Sequence, residues 1–179
     1  MINNNYNTLM ETNFSFPGQV SKYIGKVRDV YFLENDTLII ISTDRLSAFD
    51  IVMPRGIPFK GQILNQIANK MLIETTDIVP NWFKSMPDEN VSVGIKCKPF
   101  KVEMVIRGYL SGHAARKYKI GDREICGVSM PNGMNENDKF DLPIITPATK
   151  AEKGHDEDIS KEEIIERGIV SENDYKIIE

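Results

Sequence analysis

The sequence has few of the residues that build disulfide frameworks, zinc sites or membrane spans. Its 179 residues include two cysteines and two histidines, and neither cysteine belongs to a CxxC pair, so a zinc-type ligand set is absent. This favours reduced thiols at Cys97 and Cys126 over a structural disulfide. No apolar run approaches the roughly 20 residues that span a bilayer, and the N-terminus lacks the basic start and apolar core of a signal peptide. These absences predict a soluble, cytoplasmic protein.

A basic excess is also missing. The net charge is −4 and the isoelectric point is about 5.3, which argues against a general nucleic-acid binder but leaves room for a local basic site. Apolar residues make up 41% and charged residues 27%, which is typical of a globular protein. The length allows one good core or two small lobes.

The apolar pattern predicts an antiparallel sheet with one packed helix. Two β-like runs over residues 23–33 and 37–42, joined by a turn signal at 34–36, predict a hairpin. An amphipathic helix is predicted over residues 62–75, because apolar residues recur there at helical spacing. These residues, expected to face the core, are Ile63, Leu64, Ile67, Met71 and Leu72.

The second half is less regular. Strands are predicted over residues 91–97, 101–110 and 123–130, a helix over 112–120, and a mostly irregular stretch over 135–158. Ser160 and Ser171 have the pattern of helix caps, the first within a capping box.

Gly25–Asp29 is the first of four segments that could hold an anion. A glycine lets the backbone approach a phosphate, and Lys26 and Arg28 place two cations on one strand face. The P-loop pattern GxxxxGK[ST] is absent. The alternative is an exposed, charged hairpin.

Ser42–Asp50 is the second segment and follows the buried-strand pattern at residues 38–41. Arg45 could hold a phosphate or carboxylate, with the acidic residues orienting it or lying near a metal. The alternative is a buried ion-pair network that fixes the loop. The nearby helix start at Lys60–Gly61 could also meet an anion, or be capped by water.

The third segment, residues 107–113, brings together a cation at Arg107, a hydroxyl at Ser111 and a helix N-terminus. The structural alternative pairs Arg107 with Glu103. The fourth segment, residues 146–158, holds a histidine beside a carboxylate, an acid–base or amine-binding pair. Its alternative is a solvated loop.

Five segments, in order, closely resemble the N-terminal part of the SAICAR synthetase family, the phosphoribosylaminoimidazole-succinocarboxamide synthases of purine biosynthesis. They are residues 23–29, 42–50, 57–61, 105–109 and 146–160. The resemblance covers about residues 20–170. It implies an α+β fold, with an antiparallel sheet lobe and a packed helix over residues 1–97. The start of an ATP-grasp-like lobe would follow over 98–179, with its C-terminal part missing.

The resemblance also implies the reaction. The family joins L-aspartate to the carboxylate of carboxyaminoimidazole ribonucleotide with ATP and Mg²⁺, giving SAICAR, ADP and phosphate through an acyl phosphate. Such chemistry needs cations around several polyanions and close positioning of the amine and acyl phosphate. The expected partners are therefore small molecules, not nucleic acid or membrane. The oligomeric state stays open.

Each matching residue acquires an implied role. The residues implied to bind ATP are Gly25, Lys26, Arg28, Lys96, Lys98 and Glu103. Those implied to line the substrate pocket are Arg45, Ser47, Asp50 and Lys60, and those implied to hold the ribonucleotide phosphate are Arg107 and Ser111. The implied catalytic groups, beside the imidazole carboxylate or the incoming aspartate, are Lys150, His155 and Asp156.

The family's magnesium-binding strand, of the type Asp-x-Lys-x-Glu, has no counterpart after Tyr175. We therefore expect no metal site in this piece and no activity from it alone, because the missing groups act as a unit with those present. Two other classes stay open, a non-catalytic nucleotide-binding module and an RNA-binding domain. The acidic isoelectric point disfavours the second. A protein kinase is disfavoured because the HRD and DFG signatures are absent.

Overall fold

The computed structural model describes residues 7–48, 51–150 and 156–179. The chain divides into two compact units, residues 1–98 and 99–179. Each has hydrophobic clusters of its own. Within the described ranges no helix is both long and apolar enough to cross a membrane.

The first unit is built on a five-stranded antiparallel sheet of order β1-β2-β3-β7-β6. Its strands are β1 (Gln19–Ile24), β2 (Arg28–Leu33), β3 (Thr37–Ser42), β6 (Phe83–Asp88) and β7 (Val91–Ile95). Two short strands, β4 (Ser47–Ala48) and β5 (Ile51–Val52), pair with each other. The sheet core gathers around Tyr31, Ile39 and Ile41.

The predicted hairpin is confirmed in β2 and β3, where Tyr31 lies opposite Ile39. Asn35 and Asp36 turn the chain with positive φ angles, which these residue types tolerate better than most. The run predicted over residues 23–33 is two strands, however. The N–H of Gly25 donates to the carbonyl of Arg28 at 2.8 Å, and this tight turn separates β1 from β2.

The predicted helix is confirmed as α1 (Lys60–Glu74), but the prediction of which face of the helix is buried is wrong. Its buried residues are Gly61, Asn65 and Asn69, whereas Ile63 and Ile67 are about half exposed. One hydrogen-bond network through Ser92 and a close approach of backbone at Gly61 explain the reversal.

The buried side of α1 is held to the sheet by amide–hydroxyl bonds. The Asn69 amide donates to Ser92 Oγ at 2.8 Å, and that hydroxyl donates to Asn65 Oδ1 at 2.7 Å. At Gly61 a Cβ would lie 2.2 Å from the Ser42 carbonyl oxygen, so the helix start packs directly on backbone. Satisfied polar groups can occupy a buried face, and here they leave the apolar stripe outside.

The described residues of the second unit form three small antiparallel pairs and three helices. The pairs join β8 (Val102–Glu103) to β13 (Ala148–Thr149), β9 (Ile106–Tyr109) to β12 (Lys139–Ile145), and β10 (Glu124–Ile125) to β11 (Val128–Ser129). The helices are α2 (Gly112–Lys119), α3 (Lys161–Glu166) and α4 (Glu172–Ile178).

Two strand predictions in this unit are wrong, and the stretch predicted to be mostly irregular also contains strand. The run over 101–110 is two strands with different partners, because β8 pairs with β13 and β9 with β12. Residues 123–130 form a hairpin that turns at Cys126 and Gly127, both with positive φ. The stretch 135–158 contains the seven-residue β12. Its pairing with β9 supplies hydrogen bonds that local composition does not reveal.

Both predicted caps are confirmed. Ser160 and Glu163 form a reciprocal capping box at the start of α3, and Ser171 accepts the N–H of Asp174 at the start of α4. The helix predicted over 112–120 is confirmed as α2.

Replacing Gly94 with alanine should strongly destabilise the first unit. A Cβ at this position would lie 2.2 Å from the Trp82 carbonyl oxygen and 2.4 Å from its ring, and the backbone oxygen cannot rotate away. We expect a loss of about 2 kcal/mol or more, measured by urea unfolding. Gly108→Ala is the matched strand control, because no atom lies within 4 Å of its Cβ. Equal unfolding midpoints for the two variants would contradict this packing.

Candidate functional site

The turn between β1 and β2 (Gly25–Val27, here the glycine loop) has its carbonyl groups held from one side. Arg45 donates to the carbonyls of Gly25 (2.9 Å) and Lys26 (3.3 Å). Thr43 donates to the carbonyl of Val27 through its N–H (3.1 Å) and its hydroxyl (2.9 Å). The segment that follows β3 therefore determines the shape of this loop.

Arg45 lies inside the protein, with 7% of its surface exposed. Its guanidinium also donates to Asp29 Oδ1 at 2.7 Å and to the carbonyl of Met10. These contacts favour the buried ion-pair network that the sequence left open over direct substrate binding by Arg45.

Asp29 is completely buried and accepts hydrogen bonds on both oxygens. Oδ2 accepts the Thr12 N–H at 3.0 Å and the Thr12 hydroxyl at 2.7 Å. Burial opposes ionisation, but the hydrogen bonds from Thr12 and Arg45, with the charge of Arg45, outweigh it. The pKa of Asp29 is therefore lowered, and the carboxylate is ionised at neutral pH.

Asp44, in the segment that follows β3, is also buried. Oδ1 accepts the N–H of Gly61 and Oδ2 accepts the N–H of Leu9, both at 2.9 Å. A carboxylate of the chain itself thus meets the start of α1, where an external anion was one expectation. Ser47 and Lys60 are partly buried, and Asp50 lies outside the described residues.

The remaining residues predicted to bind ATP in this unit flank the sheet. Arg28 borders a cavity of about 360 Å³ between α1 and the sheet, which Trp82 also lines. Lys96 begins the segment after β7, and its N–H donates to the Asp36 carbonyl at 2.7 Å. It therefore lies at the opposite end of β2 from the glycine loop. From Arg28 to Leu33 the strand β2 spans roughly 17 Å, which is on the scale of an extended nucleoside triphosphate. Lys98 is exposed.

In the second unit, Arg107 on β9 donates from Nε to the Thr146 hydroxyl at 2.8 Å. The alternative pairing of Arg107 with Glu103 is wrong, because Glu103 forms a salt bridge with Lys150. Ser111 is the N-cap residue of α2 but makes no side-chain cap bond. Arg107 and Ser111 thus bracket the link from β9 to α2, as the phosphate-site hypothesis requires.

His113, Lys117 and Asp158 form a cluster that the sequence reasoning missed. His113 Nε2 lies 2.8 Å and Lys117 Nζ 3.3 Å from Asp158 Oδ2. Burial opposes ionisation of Asp158, but the hydrogen bond and charge of His113 and then Lys117 lower its pKa. The spacing of four residues on α2 was the available signal, although nothing local identified Asp158 as the partner.

Cys126 and Asp158 line the same cavity. Burial, reinforced by the charge of Asp158, raises the pKa of the Cys126 thiol, which donates to the Pro147 carbonyl at 3.2 Å. The thiol is therefore protonated at neutral pH. Both Cys97 and Cys126 are free thiols, as predicted.

Of the three implied catalytic groups, Lys150 and Asp156 are described and exposed, whereas His155 lies outside the described residues. The hydrogen bond from Lys150 to Glu103 raises the pKa of Lys150, and the charge of Asp156 adds to the effect. Lys150 is thus linked to Glu103, a residue implied to contact ATP. In the described part of the chain, no group of three or more His, Cys, Asp or Glu residues could hold a metal ion.

Comparison with known proteins places these features in a family. The family model for SAICAR synthetase matches residues 21–179. The chain belongs to the SAICAR synthetase family. It is 64% identical over 169 residues to the phosphoribosylaminoimidazole-succinocarboxamide synthase of Cytophaga hutchinsonii, covering 94% of this chain and 54% of that one. The Flavobacterium psychrophilum enzyme of the same name is 63% identical, with 97% and 55% covered.

Solved structures agree on the fold. A SAICAR synthase structure matches with a TM-score of 0.78 at 26% identity, covering 93% of this chain and 61% of that one. The Saccharomyces cerevisiae enzyme complexed with SAICAR matches with a TM-score of 0.73 at 27% identity, covering 93% and 64%. The expected SAICAR synthase-like α+β fold is confirmed. The chain spans about half the length of the curated relatives that it matches.

Asp29→Asn should destabilise the protein by about 3–5 kcal/mol at neutral pH, because it leaves Arg45 buried without its counter-ion. The pKa of Asp29 is lowered in the folded state. Its stabilising effect is therefore complete above the ordinary carboxyl pKa of about 3.9 and is lost as the pH falls through the folded value. The stability difference between wild type and variant should shrink below pH 4.

Denaturant unfolding at several pH values measures this difference. Asp88→Asn, at an exposed position on β6, is the matched control and should change stability by less than about 0.5 kcal/mol. A difference between wild type and Asp29→Asn that stays constant from pH 7 to pH 3 would show that the carboxylate is not the stabilising species.

Proposed function

We propose that this chain is the nucleotide- and substrate-binding part of an ATP-dependent carbon–nitrogen ligase. The ligase joins L-aspartate to the carboxylate of carboxyaminoimidazole ribonucleotide and gives SAICAR, ADP and phosphate. The observation that carries the proposal is the 64% identity to a phosphoribosylaminoimidazole-succinocarboxamide synthase across nearly the whole of this chain. The yeast structure complexed with SAICAR shows that a relative binds the product.

The proposed nucleotide site is formed by the first unit. Gly25, Lys26 and Arg28 would face the phosphates, and the segment Lys96–Lys98 the base, at opposite ends of β2. A structure of similar fold is a SAICAR synthetase in complex with ADP, which supports an adenine nucleotide as the ligand. The charges of Lys26, in the glycine loop, and of Arg28, at the start of β2, would offset phosphate charge during transfer.

The proposed ribonucleotide site lies in the second unit, around Arg107 and Ser111. The bond from Arg107 Nε to the Thr146 hydroxyl occupies Nε and leaves the terminal nitrogens of the guanidinium to make a two-pronged phosphate contact. Lys150 and Asp156 would position the carboxylate and the incoming amine. Holding these groups together would supply much of the rate.

The described residues contain no group of His, Cys, Asp or Glu side chains that could hold a metal ion, so they do not fit magnesium. We propose that any such site belongs to the part of the family sequence that this chain does not cover.

The test uses two proteins, the 179-residue chain and a chimera that continues it with the C-terminal part of the Cytophaga relative. We expect aspartate-dependent release of ADP from the chimera and none from the chain alone, with intact mass confirming each. Turnover by the chain alone would refute the assignment of metal chemistry to the absent part. A folded chimera that binds ADP without turnover would instead favour the non-catalytic nucleotide-binding module.

A matched pair of variants in the chimera tests the ribonucleotide site. Arg107→Lys removes the two-pronged geometry but keeps the charge, and we expect the KM for the ribonucleotide to rise at least about tenfold with little change in the KM for ATP. Arg167→Lys is the control, since Arg167 contacts Glu163 on the exposed face of α3. Equal KM values for both variants would contradict the placement of Arg107.

A further inference from the structure

The orientation of the glycine loop suggests a role for the groups behind it. Arg45 and Thr43 hold the carbonyls of Gly25, Lys26 and Val27 from one side. In a planar trans peptide the N–H points opposite to the C=O. The N–H groups of Lys26 and Val27 therefore point away from Arg45, and successive N–H groups on one side of a turn form a concavity suited to anions.

Arg45 can hold two carbonyls only because its own position is fixed. Asp29 Oδ1 accepts a hydrogen bond from one guanidinium nitrogen at 2.7 Å, and the Met10 carbonyl accepts one from another. A planar guanidinium with four acceptors around it has little freedom to rotate. Because it is buried, its interaction with Asp29 is screened less than that of a surface pair.

The segment Leu9–Phe14 supports this arrangement from behind. Thr12 donates two hydrogen bonds to Asp29 Oδ2. The Asp44 N–H donates to the Leu9 carbonyl at 2.8 Å, and the Leu9 N–H donates to Asp44 Oδ2 at 2.9 Å. The Phe14 N–H donates to the Tyr31 hydroxyl at 3.1 Å. The segment precedes residue 21, where the match to the family model begins.

We propose that Arg45 is a positioning residue for the glycine loop. Together with Asp29 and the segment Leu9–Phe14, it fixes the loop carbonyls so that the opposite N–H groups face the phosphates of a nucleoside triphosphate. Arg45 itself does not touch the nucleotide. The inference rests on the nucleotide site proposed above, but its structural part can be tested without any nucleotide.

The first readout is hydrogen exchange in the 179-residue chain, followed by mass spectrometry of peptides covering residues 23–28. Arg45→Lys keeps the cation but a single ammonium cannot reach all four acceptors. We expect exchange of the Gly25 N–H, which donates to the Arg28 carbonyl across the loop, to rise at least about tenfold, the equivalent of one lost charged hydrogen bond, while strands β3 and β7 stay protected. Arg55→Lys, at an exposed position, is the matched control and should leave the loop unchanged.

The second readout is the affinity for a fluorescent ADP analogue. Arg45→Lys should raise its Kd at least about tenfold, and Arg55→Lys should not. Thr12→Val removes only the hydroxyl that supports Asp29, so it should raise both loop exchange and Kd by a smaller factor. This milder variant decides the question if Arg45→Lys does not fold.

The outcomes separate the two proposals. Unchanged loop exchange in folded Arg45→Lys, or an equal rise throughout the sheet, overturns the positioning role. A wild-type chain that does not bind the ADP analogue, with loop exchange responding as expected, refutes the nucleotide site but retains the fixed loop. Faster loop exchange together with a raised Kd in Arg45→Lys supports both the positioning role and the nucleotide site.

Discussion

The buried ion pair between Asp29 and Arg45 is the constraint on which the first unit depends. Neither group can be left alone in the interior, because a buried charge without its partner costs several kcal/mol. Asp29 is therefore tied to Thr12, and Arg45 to the carbonyls of Met10, Gly25 and Lys26. One electrostatic requirement thereby joins the N-terminal segment, the glycine loop and the end of β3.

Local patterns predicted the elements whose hydrogen bonds are local. The hairpin of β2 and β3 and the caps at Ser160 and Ser171 follow from neighbouring residues, and each is confirmed. The strand β12 was missed because its residues pair with residues of β9 that lie 30 to 39 positions earlier. The face of α1 was misjudged for a related reason. Ser92 satisfies Asn65 and Asn69 from a distant strand, which spacing on the helix cannot show.

The residues of the candidate site also fall into two groups, those that a local motif identifies and those whose contacts are distant in sequence. The resemblance to the family identified Gly25, Arg107 and Lys150. In the structure Gly25 lies in the glycine loop, Arg107 lies on β9, and Lys150 forms a salt bridge with Glu103. A sequence motif cannot distinguish a side chain that contacts a ligand from one that supports the backbone. Arg45 was predicted to bind substrate, but its observed contacts are with backbone carbonyls and Asp29. His113 and Asp158 were missed because their contact joins residues 45 positions apart.

The most direct test of the whole account is a titration of ¹⁵N-labelled chain with ADP, followed by amide chemical shifts. If the nucleotide lies along β2 as proposed, the largest shifts will fall on the glycine loop and on residues 96–98, at the two ends of β2. Shifts confined to Asn65, Asn69 and Trp82, which line the cavity beneath α1, or no shifts at saturating ADP, would contradict the account.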